Sequence, residues 1–164
     1  EFDNVDDRNL YVQSVITQIF EKDISKNKRI RNRAAFEKIQ TFIINNFGST
    51  ISVSNIVEYL AKENIAVKEN TVHKYIEMLE SAKIIYKCPR FDLKSKQAMK
   101  TEQKYYLADL SIYYSMNVGG RINYGPVLEN ILFCYLKSKG YKLSVGKIGN
   151  LECDFIVVVC DSLV

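Results

Sequence analysis

The spacing of apolar residues predicts three amphipathic helices in the first half of the chain. Apolar side chains recur every three or four positions in Phe36–Phe47, Val53–Leu60 and Val72–Leu79, which is the period of a helix with one buried face. Gly48 is suited to end the first helix, and Ser52 is suited to cap the second. We therefore expect a compact group of three helices that begins near residue 33.

The third helix, within Val67–Glu80, has the position of a recognition helix. Its inward residues are predicted to be Val72, Tyr75, Ile76 and Leu79. Its outward residues are predicted to be Asn70, Thr71, His73, Lys74, Glu77 and Glu80. Asn70, Thr71 and Lys74 are candidates for contact with nucleic acid. The glutamates of this helix would repel phosphate, so a structural or protein-docking role is an equal alternative.

Two strand-like segments, Ile84–Asp92 and Glu102–Ala108, follow the helices and are joined by the loop Leu93–Thr101. Three helices followed by a hairpin form the order of a winged helix-turn-helix. The predicted fold class is thus α+β, with a winged helix at residues 33–108 and an incomplete α/β segment after it.

Most of the excess positive charge lies on this hairpin. The formal net charge is +4, and residues 83–104 hold seven Lys or Arg against two Asp or Glu. Lys94, Lys96 and Lys100 in the loop are therefore predicted to contact phosphates without reading bases. Tyr105 and Tyr106 on the return strand are either base-stacking residues or, as is more usual in a strand, core residues.

Residues 1–32 are predicted to hold a helix and a linker. The helix, in residues 10–23, has its apolar side chains on one face, and we expect a domain outside the chain to cover it. Those side chains are Val12, Val15, Ile16, Ile19 and Phe20. The segment 24–33 is rich in Lys and Arg without aromatic residues, which is more typical of a solvated linker than of an arm that binds nucleic acid.

Residues 109–164 are predicted to begin a second domain. Asp109 is placed to cap a short helix, Leu110–Met116. A longer helix follows, with Pro126 in its first turn and Gly140 at its end. Two strands, Tyr141–Lys147 and Leu151–Val159, complete the segment.

The last strand contains two carboxylates on one face, Glu152 and Asp154, because side chains alternate along a strand. Their neighbours are apolar, which is typical of a strand covered on both faces. Glu129 on the preceding helix would complete an oxygen-rich site for Mg²⁺. Alternatively, Glu152 lies at a solvated strand end and Asp154 forms a hydrogen bond with a neighbouring helix.

Composition excludes other kinds of site and location. The four cysteines form no C-x-x-C pair and there is one histidine, so a zinc site is not expected. Neither a membrane-spanning apolar run nor a signal peptide is recognisable in the chain, so we expect a cytoplasmic protein without membrane contact.

A series of short motifs resembles a known family. They are Lys22-Asp23-Ile24, Asn70-Thr71-Val72 with Tyr75 and Leu79-Glu80, Pro89-Arg90-Phe91-Asp92-Leu93-Lys94, Lys104-Tyr105-Tyr106-Leu107-Ala108-Asp109, Leu128-Glu129-Asn130 and Glu152-Cys153-Asp154-Phe155. Their order is similar to that in prokaryotic AAA-type ATPases whose C-terminal region of unknown function follows a winged helix.

The resemblance implies that residues 1–32 are the end of an ATPase module and that ATP and Mg²⁺ bind upstream. The chain itself has no G-x-x-x-x-G-K-[ST] motif, so we expect no nucleotide cofactor in this fragment. The last domain of the family resembles the restriction-endonuclease fold, in which Glu129 and Asp154 would be two of the metal ligands. The third element would lie beyond Val164, so the fragment is predicted to be inactive as a nuclease.

The partners implied are the upstream ATPase module and nucleic acid at the wing. A metal-dependent nuclease active in the longer protein and a purely structural or protein-interaction module are the alternatives. The apolar segment Phe155–Cys160 would expose a strand edge, and we expect this edge to allow self-association.

Overall fold

The computed structural model describes residues 4–19, 22, 30–117, 123–149 and 151–158. Six helices and five strands lie in this part of the chain, in the order α1 (Val5–Ile19), α2 (Arg33–Asn45), β1 (Thr50–Ile51), α3 (Val53–Lys62), α4 (Glu69–Ser81), β2 (Ile85–Asp92), β3 (Gln97–Leu107), α5 (Ser111–Met116), α6 (Tyr124–Ser138), β4 (Lys142–Ile148) and β5 (Leu151–Val158). The mixed α+β class is confirmed. None of the described helices has both the length and the apolar character needed to cross a membrane.

Helices α2, α3 and α4 enclose the larger apolar core. The predicted cap at the start of α3 forms, because the Asn55 N–H donates to Ser52 Oγ at 3.1 Å, whereas α2 ends at Asn45, before Gly48. Asn32 caps α2 in the same way, through the Ala35 N–H at 3.0 Å. The four residues of α4 that were predicted to point inward are all buried, so that prediction is confirmed.

The five strands form one sheet in the order β1-β3-β2-β4-β5. Strands β2 and β3 are an antiparallel hairpin, with Ile85 opposite Leu107. Strand β4 pairs with β2 in parallel, with Arg90 opposite Val145, and β5 pairs with β4 in antiparallel orientation. The hairpin therefore continues into the strands that follow α6, and the sheet spans the boundary predicted between residues 108 and 109.

The hairpin loop is shorter than the sequence predicts. Strand β3 begins at Gln97 rather than at Glu102, because Gln97–Met99 pair with Arg90–Asp92 beyond a bulge in β3, where four residues separate Met99 from Lys104 opposite the single Pro89. Only Leu93–Lys96 form the turn, and the Asp92 carboxylate stabilises it by accepting hydrogen bonds from the Lys94 N–H and the Ser95 hydroxyl. The polar residues of this stretch have no period-two pattern from which to predict the strand.

Helix α1 begins five residues earlier than the predicted 10–23, because Asn4 Oδ1 accepts a hydrogen bond from the Asp7 N–H at 2.7 Å. Its apolar face lies against α5, and Gln13 Nε2 donates to the Ser115 carbonyl at 2.9 Å. The contact with α5 covers this face only in part, because no residue of α1 is buried, so cover by a domain outside the chain stays a prediction. Phe20 and the linker residues 24–29 are outside the described residues.

The C-terminal elements follow the prediction with one correction. Helix α6 ends before Gly140, which has a φ of +81°, and the Ser111 N–H at the start of α5 donates to Asp109 Oδ1 at 2.8 Å. Strand β5, however, is an edge strand whose first four residues are exposed, so the expectation of a strand covered on both faces is wrong. An apolar run alone does not distinguish an edge strand from a central one. Self-association through β5 stays a prediction, and Val159 and Cys160 lie outside the described residues.

Candidate functional site

Strand β3 separates two chemically different regions, because its side chains alternate between the two faces of the sheet. Lys104 and Tyr106 point towards α6, and both reach Glu129 on that helix. Gln103 and Tyr105 border a cavity next to α4. Residues that are adjacent in sequence thus have different environments.

On the α6 side, Lys104 is the centre of a buried charge network. Its Nζ lies 2.9 Å from Glu129 Oε1 and 2.6 Å from Glu152 Oε1, and the residue is only 5% exposed. Tyr106 donates its hydroxyl hydrogen bond to the same Glu129 oxygen. One cation therefore forms ion pairs with carboxylates from both α6 and β5.

Arg90 extends this network from β2. Its Nη2 lies 3.0 Å from Glu152 Oε2, and its Nη1 lies 2.8 Å from Glu102 Oε2 on β3. The guanidinium group is almost completely buried, so the two carboxylates replace water as its hydrogen-bond acceptors. The network joins β2, β3, α6 and β5.

Burial and ion pairing change the pKa of Lys104 in opposite directions. Burial by itself would lower the pKa of Lys104, but hydrogen bonds to Glu152 and Glu129 outweigh it, and the net pKa is raised. Burial also raises the pKa of the nearby Cys88 thiol to about 12, so this cysteine is not a reactive thiolate at neutral pH.

The predicted metal ligands are only partly brought together. Glu129 and Glu152 share Lys104, whereas Asp154 has no ion pair among the described residues, although its charge acts on Tyr106. Within the described ranges, no group of three or more His, Cys, Asp or Glu side chains is arranged to hold a metal ion. Carboxylate oxygens are suitable ligands for Mg²⁺, but an ammonium group between two of them would repel the ion, so the arrangement does not fit Mg²⁺.

Sequence reasoning missed both cations of this network. The alternation of Lys104 with Tyr106 in a predicted strand indicated that the lysine shares a face with a large aromatic residue. No sequence signal indicated Arg90, because its partners come from the hairpin return strand and from β5.

On the outer side of α4 lies a groove of about 580 Å³ that we call the basic groove. It is lined by Arg31, Asn32, Ala66, Val67, Lys68, Thr71, Lys74, Tyr75 and Met78. Three of these residues are cations, and no carboxylate belongs to the described lining. Thr71 and Lys74 were predicted as contacts to nucleic acid, and Asn70 is exposed beside them without lining the groove.

The wall of the basic groove is held in place by Tyr75. Its hydroxyl accepts a hydrogen bond from the Asn32 N–H at 3.1 Å and donates to the Asn32 carbonyl at 3.3 Å. Its ring packs edge-on against Phe36 with centroids 5.4 Å apart. This attachment holds the segment of Arg31 against α4, so that Arg31 lines the same groove as Lys68 and Lys74. Sequence analysis missed Arg31 and Lys68, because Arg31 was assigned to a linker and Lys68 was not among the outward residues predicted for the third helix.

The wing tip, which we define as Leu93–Lys96, exposes Lys94 and Lys96 as predicted. Lys147 of β4 lies beside it, because the Leu93 N–H donates to the Lys147 carbonyl at 2.9 Å. Hydrogen bonds from Ser95 and Lys94, and the charge of Lys147, lower the pKa of Asp92. The side chain of Lys100 lies outside the described part of the structure.

Between α4 and β3 is a second cavity, of about 310 Å³, that we call the acidic cavity. Its charged lining residues are Glu69, Glu77, Glu80, Glu102 and Lys87, with His73 beside them. Burial raises the pKa of Glu80 above its usual range. Tyr105 borders this cavity but is 4% exposed, and Tyr106 is fully buried, so both are core residues and the base-stacking alternative is wrong.

A model of the family described as domain of unknown function DUF8612 matches residues 2–121. The matched stretch includes the basic groove, the wing tip and most of the network strands, and it ends before Glu129, Glu152 and Asp154.

Two curated relatives extend the similarity over nearly the whole chain. An uncharacterized protein of Haemophilus influenzae is 28% identical over 92% of this chain and 39% of its own length. An uncharacterized protein of Methanocaldococcus jannaschii is 26% identical over 93% of this chain and 35% of its own length. The chain thus spans less than two fifths of the length of each. No solved structure matches the chain.

Proposed function

The chain belongs to the DUF8612 family, and we propose that it binds the phosphate backbone of nucleic acid through the basic groove and the wing tip. The observation that carries this proposal is the charge of the groove. Arg31, Lys68 and Lys74 converge on one concave surface whose described lining has no carboxylate. Phosphate contacts of this kind supply affinity without sequence preference.

The wing tip supports the same function. Lys94 and Lys96 are exposed on a turn that Asp92 hydrogen bonds hold in shape, and Lys147 adds a third cation beside them. Lysines on an ordered turn lose less conformational freedom when they meet phosphate than lysines on an unstructured loop. We assign this surface, with Lys100, to a second set of phosphate contacts.

The acidic cavity argues against base reading by α4. A winged helix that reads the major groove inserts its third helix and contacts the backbone beside it. Here Glu69, Glu77 and Glu80 lie on the side of α4 that faces β3, where they would repel phosphate. We therefore propose a winged helix that contacts nucleic acid without sequence preference.

We further propose that the chain is the C-terminal region of a longer AAA-type ATPase, in which the phosphate-binding surface couples nucleotide turnover to nucleic acid. This part rests on the motif resemblance, and the greater length of both relatives leaves room for an upstream nucleotide module. The ATP and Mg²⁺ of the proposal belong to that module. A nuclease-like domain after residue 108 would have to displace Lys104 before Glu129 and Glu152 could hold Mg²⁺, so no catalytic step is assigned to them.

The test is fluorescence anisotropy of a labelled duplex and a labelled single strand, titrated with the chain at several salt concentrations. For a duplex, the logarithm of the binding constant falls with the logarithm of salt by about 0.9 per phosphate contact. Lys68→Ala/Lys74→Ala is expected to weaken binding equally for unrelated sequences and to reduce the slope by about one to two. Lys94→Ala/Lys96→Ala is expected to act in the same direction.

The matched control is Lys62→Ala/Lys142→Ala, which removes two exposed lysines that do not line the groove. It should leave the slope close to that of the parent chain. An equal loss in the control and the groove variant would reduce the effect to net charge and contradict the proposal, as would the absence of binding at low salt.

A further inference from the structure

The side of helix α6 that faces away from the sheet is apolar and exposed. Five side chains on this side are between 46% and 66% exposed, and they form what we call the apolar stripe: Tyr124, Leu128, Ile131, Leu132 and Tyr135. Side chains of these sizes expose on the order of 500 Å² in one patch. This area is as large as the largest apolar patch of a typical monomer, and such a patch often marks a contact surface.

The opposite side of α6 fixes the orientation of the helix. Asn130 donates to the Leu107 carbonyl at 3.1 Å and accepts a hydrogen bond from the Leu107 N–H at 2.8 Å. Phe133 stacks on Tyr106 with ring centroids 4.3 Å apart. Rotation of α6 to bury the apolar stripe would break these contacts, so the stripe can be covered only by a surface that packs onto α6 from outside.

The spacing within the apolar stripe is that of a seam between two helices. Intervals of four, three and four residues separate the successive members of this seam, which are Tyr124, Leu128, Ile131 and Tyr135. The same alternation of three and four describes the a and d positions along which two helices pack in a coiled coil. The side chains of a second helix fill such a seam, so we expect the occupant to be a helix.

The seam is also symmetric about its centre. It has a tyrosine at each end, Tyr124 and Tyr135, and the aliphatic residues Leu128 and Ile131 between them. In an antiparallel pair of α6 helices related by a twofold axis, Tyr124 of each copy would meet Tyr135 of the other, and Leu128 would meet Ile131. The seam of one copy is therefore complementary to the same seam of a second copy.

We propose that two copies of the chain associate through the apolar stripe, with their α6 helices antiparallel. Two stripes would bury about 1,000 Å² in total, which meets the lower limit for a biological interface, so the dimer is expected to be reversible. The seam contains no charged residue that would repel its own copy. The basic groove is on α4, on the other side of the sheet, so both copies keep it open.

The experiment is sedimentation velocity of the chain over a hundredfold range of concentration. We expect the mass to rise reversibly from the monomer value of 18.9 kDa to twice that value as the concentration increases. Leu128→Glu and Ile131→Lys each place a charge in the seam. Both side chains are more than half exposed, so neither change should disturb the monomer, and each should weaken the dimer at least tenfold.

Mixing these two variants tests the pairing itself. In a mixed dimer, the glutamate introduced at position 128 would meet the lysine introduced at position 131 of the other copy, and the second contact would keep its native Ile131 and Leu128. The mixture should therefore associate at least tenfold more tightly than either variant alone. Leu151→Glu, on the exposed part of β5, is the matched control and should change the dissociation constant of the dimer less than twofold.

Three results would overturn the proposal. One is a chain that remains monomeric at every concentration, and another is a mixture that associates no more tightly than its components. The third is a dimer that is lost in Leu151→Glu and kept in Leu128→Glu, because it would place the contact at the edge strand β5.

Discussion

The two faces of β3 carry similar residues in opposite states of compensation. On the α6 face, Glu129 and Glu152 share the ammonium group of Lys104, and Arg90 pairs with Glu152 as well. On the α4 face, Glu69 and Glu77 border a cavity without an ion-pair partner among the described residues. The two regions thus differ in whether their carboxylates have a cation as an ion-pair partner.

This difference separates structural charge from charge available for binding. A carboxylate that already has a buried cation contributes to the arrangement of the fold, and a ligand would have to displace that cation. A carboxylate without a partner at a cavity has its full charge available to a ligand. The sequence-predicted metal ligands Glu129 and Glu152 thus belong to the first kind. Glu69 and Glu77, which sequence analysis considered only as residues that repel phosphate, belong to the second.

The largest expected effect comes from removing Lys104, the cation that Glu129 and Glu152 share. Lys104→Met leaves Glu129 and Glu152 partly buried without their shared partner, and breaking such a buried pair costs about 3–5 kcal/mol. We expect the free energy of unfolding, measured by urea denaturation, to fall by about 3 kcal/mol or more. Replacing Glu129 by glutamine in the same variant should restore part of the loss, whereas Glu152 is kept because it also pairs with the buried Arg90.

Two comparisons control this result. Lys94→Met changes an exposed lysine and should alter the free energy of unfolding by less than about 0.5 kcal/mol. Glu69→Gln/Glu77→Gln should likewise cause no loss, because these side chains lack partners. If Glu69→Gln/Glu77→Gln lowered the free energy of unfolding as much as Lys104→Met, the distinction between the two regions would fail.

A smaller effect is expected from pH at Glu80, which borders the acidic cavity. Burial raises its pKa above the ordinary value of 4.5, so the folded chain binds this proton more tightly than the unfolded chain. The contribution of Glu80 to the free energy of unfolding therefore falls as pH rises from the ordinary pKa through the raised pKa. Glu80→Gln should be more stable than the parent at pH 7 and should lose this advantage below pH 4.5.

Urea denaturation of both chains across this pH range measures the difference. Glu58→Gln, an exposed glutamate on α3, is the matched control and should change the free energy of unfolding at pH 7 by less than about 0.5 kcal/mol. A stability advantage for Glu80→Gln that grew as pH fell would contradict the direction assigned to its pKa.

The local parts of the fold were predictable from sequence, and the reason is their short range. Helices α2, α3 and α4 follow from apolar periodicity, and Ser52 and Gly140 mark helix ends by chemistry that acts within a few residues. The early start of α1 at Asn4 had a similar signal, an Asn followed by two aspartates, but the apolar period began later and set the predicted start.

The non-local parts were not predictable. The parallel pairing of β2 with β4 joins residues 90–92 to residues 145–147, and no local pattern records which strand lies beside which. The buried network depends on that pairing, so the sequence predicted Glu129 and Glu152 as neighbours without their cations. In the same way, Arg31 and Lys74 line one groove because Asn32 forms hydrogen bonds with Tyr75. Periodicity alone does not reveal this contact.

The most direct test of the proposed function is an amide chemical-shift titration of the ¹⁵N-labelled chain with an unlabelled duplex at low salt. We expect the largest shifts at Lys68, Thr71 and Lys74 and at the wing tip. The amide shifts of Glu77 and Gln103 in the acidic cavity should remain unchanged. Shifts confined to the acidic cavity, or no shifts at any duplex concentration, would contradict the proposed function.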